Sequence, residues 1–433
     1  MEGRVYLVGA GPGDPRLLTQ YAVKRMAVAD TVIYDRLIHP NILDLAPSYA
    51  ERVYVGKEHG KVSVSQDSIN SLLVEQAQKG KTVVRLKGGD PFLFGRGGEE
   101  ASVLRSYHIP FEIIPGLSSS MASLSYAGIP MTHRGLVQGI SIVGGFDGHF
   151  PYSWQDKHSW VVLMGLEHVN DVVAKALDAG FPPDLPACAI EWGTWGQQRI
   201  VRATLVTLPR VVKARAIESP CVLVLGENVG VSEELSWWEK QPWHARRVIV
   251  VSAYPVDWSM LEEYREQGAE VLNWSVYLSA SVARDSLVHM ASDATIFVEE
   301  FAVINTVMNE WITIGRDLRD FPNLCIPPSE LTQAGRRGFR RVEVASHVER
   351  MPRKLYGAGR EVYVTFEQFQ SLDPSVKKHV RPFTEPAIAR RRDALWSFHL
   401  SKKFDMAVLV SPSGEKWYRE NPIIAEHTMF AKN

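Results

Sequence analysis

The strongest constraint on this chain is an alternation of short β-branched runs with segments of helical period. Val5–Val8, Thr31–Tyr34, Val53–Val55 and Thr82–Leu86 read as strands, and Pro15–Ala29 and Gln66–Gln78 carry apolar residues at helical spacing. Gly80, just past the second helix, suits a left-handed C-cap. Strand–helix–strand order predicts a largely parallel sheet with helices on both faces. At Pro115-Gly116 the pattern restarts, with Ile140–Val143, Trp160–Met164, Ala187–Ile190 and Cys221–Leu225 as strands and Gln197–Arg202 as a further candidate. The stretch Glu233–Trp243 has no clear period; Arg247–Val251 then opens a new strand and Ser259–Gln267 a helix that stops at Gly268. The expected organisation is an α/β domain over 1–116, a second over 117–232, a linker over 233–245 and a third unit over 246–433.

Composition limits the function classes. A chain of 433 residues has room for about three domains. Lys+Arg is 48 and Asp+Glu 49, a net charge of −1 that argues against a general nucleic-acid or membrane-surface binder. Cys188, Cys221 and Cys325 lie far apart, so neither a metal-ligand spacing nor a disulfide framework is expected, and a reducing, cytoplasmic setting is. Met1-Glu2-Gly3-Arg4 does not open a secretory leader, and no apolar run approaches the ~18 residues of a membrane helix. One local excess stands out: residues 331–360 hold eight Lys or Arg against two Glu, read as a solvated surface.

Two glycine-rich loops carry the chemistry. Gly9-Ala10-Gly11-Pro12-Gly13-Asp14 follows the first strand, and Asp35 ends the second, which superficially suits a nicotinamide dinucleotide. The third glycine comes one residue early, Pro12 removes an amide donor, and Asp14-Pro15 reads as an N-cap followed by proline, a carboxylate where pyrophosphate would sit. The second loop runs from Arg85 to Glu100 as RLKGGDPFLFGRGGEE. Gly88 and Gly89 permit close backbone approach, Asp90 could accept from a ligand, and Glu99-Glu100 open a helix in keeping with its dipole. With no Gly-Lys-Ser/Thr ending, this is not a P-loop.

Polar residues recur at predicted strand ends, which in open α/β sheets face the ligand crevice. Arg36, Lys57, Lys87, Arg96, His133 and Arg134 could converge there as a positive cleft suited to a polycarboxylate.

Taken in order, VYLVGAGPGDP at 5–15, YDRL at 34–37, VGK at 55–57, RLKGGDPFLFGRGGEE at 85–100, PGLSS at 115–119, AGIPMTHRG at 127–135, LMGL at 163–166 and ESP at 218–220 resemble the uroporphyrinogen-III C-methyltransferases, S-adenosylmethionine-dependent tetrapyrrole methylases. The resemblance covers residues 3–230 nearly continuously. It implies two α/β domains with the donor in the cleft between them, and S-adenosylhomocysteine as the donor's product. It places Pro12, Gly88, Gly89, Asp90, Pro91, Phe94, Ser118, Ser119 and Met164 at the donor, and Arg36, Leu37, Lys57 and His133 at the substrate. Asp35, Arg96, Glu99 and Arg134 fall on positions tied to turnover. It further implies methylation of uroporphyrinogen III at C-2 and C-7 to give precorrin-2, and a homodimer. The substrate's eight carboxylates suit an arginine-rich site, and Glu99 is a candidate acceptor for the departing proton, Arg96 being a poor base. No metal, nucleic acid or membrane is called for.

The chain departs from the family pattern at three places. PGITS is here Pro115-Gly116-Leu117-Ser118-Ser119; Thr-Gly-His is Gly144-Gly145-Phe146; Glu-Arg-Gly-Thr-Thr is Glu191-Trp192-Gly193-Thr194-Trp195. The third unit weakly resembles uroporphyrinogen-III synthase, through its opening strand and helix and through Ser411-Pro412-Ser413-Gly414. It implies two lobes, the chain leaving the first near residue 274 and returning late. Glu299-Glu300-Phe301 replaces the expected hydroxyl and amide groups, and the chain stops early, so a degenerate, truncated synthase is expected. Two other readings compete with this one: a methylase of a later corrinoid precursor, and a non-catalytic docking protein of the same pathway.

Overall fold

The computed structural model describes residues 3–47, 50–56, 64–145, 153–252 and 259–275, and beyond these 295–297, 307–308, 311–312, 314, 323–326, 342–344, 362–364, 380–382, 406–409 and 429–432. The first sheet is built from β1 (Arg4–Gly9), β2 (Thr31–Tyr34), β3 (Glu51–Tyr54), β4 (Thr82–Lys87) and β5 (Phe111–Ile114) in the order β3-β2-β4-β1-β5. Every pairing in it is parallel. Its strands are near-continuous apolar runs because both faces are covered. Tyr6, Val8, Val32 and Tyr34 pack on one face with Ala22 and Met26 of α1 (Gln20–Met26). Val5, Leu7 and Ile33 pack on the other with Leu73 of α2 (Gln66–Gln78) and Leu104 of α3 (Gly97–Ser106).

The single helix expected over Pro15–Ala29 is two elements. Asp14 caps a 3-10 turn over Pro15–Leu17, accepting from Arg16 N at 2.9 Å, and Leu18 then turns extended. Thr19 Oγ1 accepts from Ala22 N at 3.1 Å and starts α1 afresh. The break follows from two N-cap residues in close succession, each offering a side-chain acceptor to free amides.

The second sheet corrects the expectation of parallel strands. After α4 (Ser119–Tyr126), β6 (Gly139–Gly144) and β7 (His158–Leu163) pair in parallel. Then α5 (Val169–Asp178), β8 (Pro186–Glu191), β9 (Arg199–Thr204), α6 (Leu208–Ala214), β10 (Cys221–Leu225) and the short α7 (Ser232–Leu235) complete the unit. In the order β6-β7-β10-β8-β9, the last three pairings are antiparallel. Trp160 is buried under α5 and α6, while α4 covers the opposite face through Leu124.

Downstream, β11 (Arg247–Ser252), α8 (Ser259–Glu266) and β12 (Glu270–Ser275) begin a four-stranded parallel sheet. A five-stranded parallel sheet follows, from β13 (Thr295–Phe297), β14 (Asn323–Ile326), β15 (Val342–Val344), β16 (Val362–Val364) and β17 (Val380–Pro382) in the order β15-β14-β13-β16-β17. The chain then returns to the first of these sheets with β18 (Met406–Leu409), parallel to β11, and β19 (Met429–Lys432), parallel to β18. Departure after β12 and late return match the two-lobed topology expected of the third unit. Glu299, Glu300, Phe301, the basic stretch 331–341 and the Ser411–Gly414 loop lie outside the described residues.

Candidate active site

The first sheet aligns the carboxyl ends of β1, β4 and β5, and glycines let their loops meet. Gly11 N donates to Gly89 O at 3.2 Å and Gly89 N to Gly11 O at 2.7 Å, an isolated antiparallel bridge between the two glycine-rich loops. A Cβ on Gly116 would stand 2.3 Å from Gly89 O, and one on Gly9 2.5 Å from Gly116 N, so this junction excludes any side chain. Gly89 also has φ +68°, a left-handed conformation that costs a non-glycine residue about 1–2 kcal/mol. Asp90 ties the loops together, accepting from Phe92 N at 2.8 Å and from Gly116 N at 3.1 Å. Ser118 caps α4 through a contact with Ser120 N at 3.3 Å.

These loops form one side of a cleft of about 590 Å³, a size usual for small-molecule sites. Pro12, Arg36, Leu37, Gly88, Gly89, Asp90, Phe94, Ser118, Ser119 and Met164, all candidates from the sequence, line it. The opposite wall comes from the second sheet and its loops: Leu163 and Met164 at the end of β7, Ile190 of β8, Trp192, Gly193 and Trp195. Phe94 (φ 54°), Met164 (φ 57°) and Trp192 (φ 48°) are all left-handed around this cleft. Backbone strain of that kind, of order 1 kcal/mol or more per residue, concentrates at ligand sites.

Several predicted site residues sit elsewhere. Asp35 is not in the lining; its two carboxylate oxygens both accept from Arg85 Nη2, at 2.9 and 3.0 Å. Arg85 is 2 % exposed and also donates to Glu100 at 3.2 Å, which Lys87 Nζ meets at 2.8 Å. Lys87 is therefore an internal ion-pair partner rather than a cleft cation. Burial and then the neighbouring Arg85 pull its pKa down, against the pull of Glu100. Arg85 is buried too, yet Asp35 and Glu100 together outweigh the desolvation and raise it.

Arg96 and Glu99 are exposed and paired with each other, at 2.8 and 2.7 Å. Hydrogen bonding from Arg96 holds the Glu99 carboxyl below its ordinary range. His133 and Arg134 lie in an exposed loop, Pro91 is buried beneath the second glycine-rich loop, and none of the three is in the cleft lining. Lys57 lies outside the described residues. The expected convergence of cations is thus corrected. Among the described residues, the lining holds one arginine, Arg36, beside Asp90, Glu167 and His168. The physical reason is that Lys87 and Arg96 already have carboxylate partners, Glu100 and Glu99.

Trp192, Trp195, Glu167 and His168 were missed as site residues. For the two tryptophans a signal existed, since they stand where the family pattern has arginine and threonine. Trp195 Nε1 donates to Pro12 O at 3.1 Å, clamping the first glycine-rich loop from the far side of the cleft, and Asp14 N donates to Thr194 Oγ1 at 3.2 Å. Glu167 and His168 follow β7 with no motif around them. Among the described residues, no group of three or more His, Cys, Asp or Glu is placed to hold a metal ion, and no helix is long and apolar enough to cross a membrane.

Two α/β sheets thus hold a cleft between them, floored by two mutually bonded glycine loops. Residues 4–209 match the family model of Tetrapyrrole (Corrin/Porphyrin) Methylases. A siroheme synthase of Chromobacterium violaceum is 45% identical over 244 residues, covering 55% of this chain and 52% of that one. A siroheme synthase of Nitrosospira multiformis is 44% identical over 247 residues, covering 56% of this chain and 52% of that one. The chain therefore spans about half the length of the curated relatives it matches. A uroporphyrin-III C-methyltransferase structure from Thermus thermophilus, complexed with S-adenyl homocysteine, is 39% identical, covering 53% of this chain and 100% of that one at a TM-score of 0.44.

Proposed function

We propose that this chain methylates uroporphyrinogen III at C-2 and C-7, giving precorrin-2, with S-adenosylmethionine as donor. The observation that carries this reading is the cleft between the two sheets, where the Gly11–Gly89 bridge, Ser118 and Met164 face one another across about 590 Å³. The residues present fit the donor. The floor is bare backbone that a Cβ would obstruct, and the wall is apolar and aromatic, with Met164 and Trp192 able to pack against a flat base or a thioether. When bound, S-adenosylmethionine supplies an electrophilic methyl group on sulfur.

The protein's share of the chemistry is alignment and proton handling. Holding an electron-rich carbon, a methyl and a sulfur in line can contribute up to about 7–11 kcal/mol. Arg36 at the rim offers a planar fork for a substrate carboxylate. Asp35, the neighbouring residue, keeps a fixed carboxylate because Arg85 grips both oxygens. Neither Asp35 nor Glu99 lines the cleft, and each carboxylate is held by an arginine, Arg85 and Arg96 respectively, so both stand as candidates for the departing proton.

For the third unit we propose a synthase-like scaffold that closes hydroxymethylbilane poorly. Two parallel sheets, with the chain leaving one after β12 and returning at β18, support the scaffold. The Glu299-Glu300 pair in the sequence supports the poor activity.

The test is transfer of labelled methyl from S-adenosylmethionine to enzymatically made uroporphyrinogen III. Two methyl groups per macrocycle are expected; no incorporation, with the donor bound, would favour the docking-protein reading. Calorimetry should also show S-adenosylhomocysteine binding and no NAD binding.

A further inference from the structure

The wall of the cleft is not held by the methylase segment alone. The loop from Trp192 to Gly196 supplies Trp192, Gly193 and Trp195 to the cleft. Three residues beyond position 209 grip its far end. Trp238 Nε1 donates to Trp195 O at 3.0 Å, Ala245 N donates to Gly196 O at 2.8 Å, and Gly196 N donates to Glu270 Oε2 at 3.0 Å. Glu270 opens β12 in the third unit and is 3% exposed. Its other oxygen, Oε1, lies 3.4 Å from His39 Nε2, and the His39 ring packs on Trp195 with centroids 4.9 Å apart. A Cβ on Gly196 would stand 2.2 Å from Glu270 N, so glycine is what lets β12 come this close.

We propose that Glu270 is a positioning residue for the donor site: holding Gly196 and His39 together, it fixes the tryptophan face of the cleft, so that donor affinity depends on a residue of the third unit. This rests on the reading of the cleft as a donor site. The requirement is for two acceptors on one buried group. His39 Nδ1 accepts from Asn41 N at 3.2 Å, which leaves the ring hydrogen on Nε2, 3.4 Å from Glu270 Oε1, a close polar contact short of hydrogen-bond geometry. The Gly196 amide is the second donor. A carboxylate bonds the Gly196 amide and presents its other oxygen to His39, whereas a glutamine of the same shape turns an NH2 group toward one of them. The indole of Trp195 is then set from three sides, by Pro12 O at its nitrogen, His39 on its ring and the Glu270-held backbone behind it.

The experiment is calorimetry of S-adenosylhomocysteine on the full chain and on Glu270→Ala, Glu270→Gln, Trp195→Ala, the double variant Glu270→Ala with Trp195→Ala, and Asn273→Ala. Asn273 lies in the same interface but faces Asn41 and Asp44, not the loop. Glu270→Ala should weaken binding about ten-fold, and the double variant should bind no more weakly than Trp195→Ala alone, as residues acting through one another do. Asn273→Ala should stay within about two-fold, because it keeps the backbone amide that bonds Asn41. Glu270→Gln should melt with the parent yet bind several-fold more weakly, which carries the test if the alanine variant does not fold. Parent-like affinity in Glu270→Gln and Glu270→Ala, or additive losses in the double variant, would overturn the inference while leaving the donor site intact. A parent chain that binds no S-adenosylhomocysteine would instead remove the donor reading, and the inference with it.

Discussion

Gly116 and Gly89 touch backbone to backbone: a side-chain carbon on Gly116 would lie 2.3 Å from the Gly89 carbonyl oxygen. The obstacle is main chain that is itself bonded to Gly11, so it cannot rotate away as the tip of a flexible side chain could.

Gly116→Ala should therefore disrupt the floor of the cleft. We expect loss of measurable S-adenosylhomocysteine binding and a melting temperature lowered by several degrees, equivalent to about 1–3 kcal/mol for an overpacked site. Gly98→Ala makes the matched comparison, because nothing lies within 4 Å of its Cβ position and it sits in α3. That change should stabilise by about 0.5–1 kcal/mol and leave binding alone. Equal effects at the two positions would refute the close-approach argument.

Arg96 is exposed and, among the described residues, its side chain bonds only Glu99, so its removal should cost the fold little. Arg96→Leu is expected to keep donor affinity within a few-fold and the melting temperature near the parent's while turnover is lost, if the guanidinium meets substrate carboxylates. Arg96→Lys should recover little, because a point charge does not replace a bidentate fork. Full turnover in the leucine variant would remove Arg96 from the mechanism.

Burial pushes the Cys188 thiol up to about 12, and burial together with Cys188 and Glu191 raises Cys221 as well. Neither forms appreciable thiolate near neutrality, the nucleophilic form that alkylation needs. Iodoacetamide at pH 8 should label neither residue in the native chain and both after unfolding, as read by peptide mass. Rapid labelling of native Cys221, which lines the cleft, would mean that the wall opens in solution.

Asn41 is fully buried and serves both edges of one amide: its Nδ2 donates to Val271 O at 2.9 Å, and its Oδ1 accepts from Asn273 N at 2.9 Å. Asn41→Ala leaves a buried carbonyl and a buried N–H without this partner, each worth about 1–3 kcal/mol. Hydrogen exchange should rise at β12 with the first sheet unaffected. Protection unchanged at Asn273 would show that this contact does not hold the third unit.

Local chemistry made much of this architecture legible. Thr31–Tyr34, Gln66–Gln78 and Cys221–Leu225 begin and end where their residues predict, because β-branched runs and helical periods act over a few neighbours. Strand direction is a different matter. Nothing within Ala187–Ile190 says that β8 runs against β10, and nothing near Phe111 declares the edge strand β5. The glycine loops were legible because bare backbone is a requirement that sequence displays directly. Lys87 was misread as a cleft cation because its partner comes from another element: Glu100 of α3 is 13 residues away. Glu270 was legible only as part of the strand after Gly268, and the folded contact with Gly196 is what gives it a role.

The return of β18 to the side of β11 has a consequence for synthesis. The ribosome delivers residues in order, and domains close as their strands emerge. The methylase segment has every strand of its two sheets before Arg247 appears, so β12 can find Asn41 and Gly196 at once. Val248, however, must wait for Met406, and until then the apolar strand Val248–Val251 presents an open edge, the kind of surface on which chains aggregate. Docking against a finished neighbour would restrain that unfinished sheet during the wait.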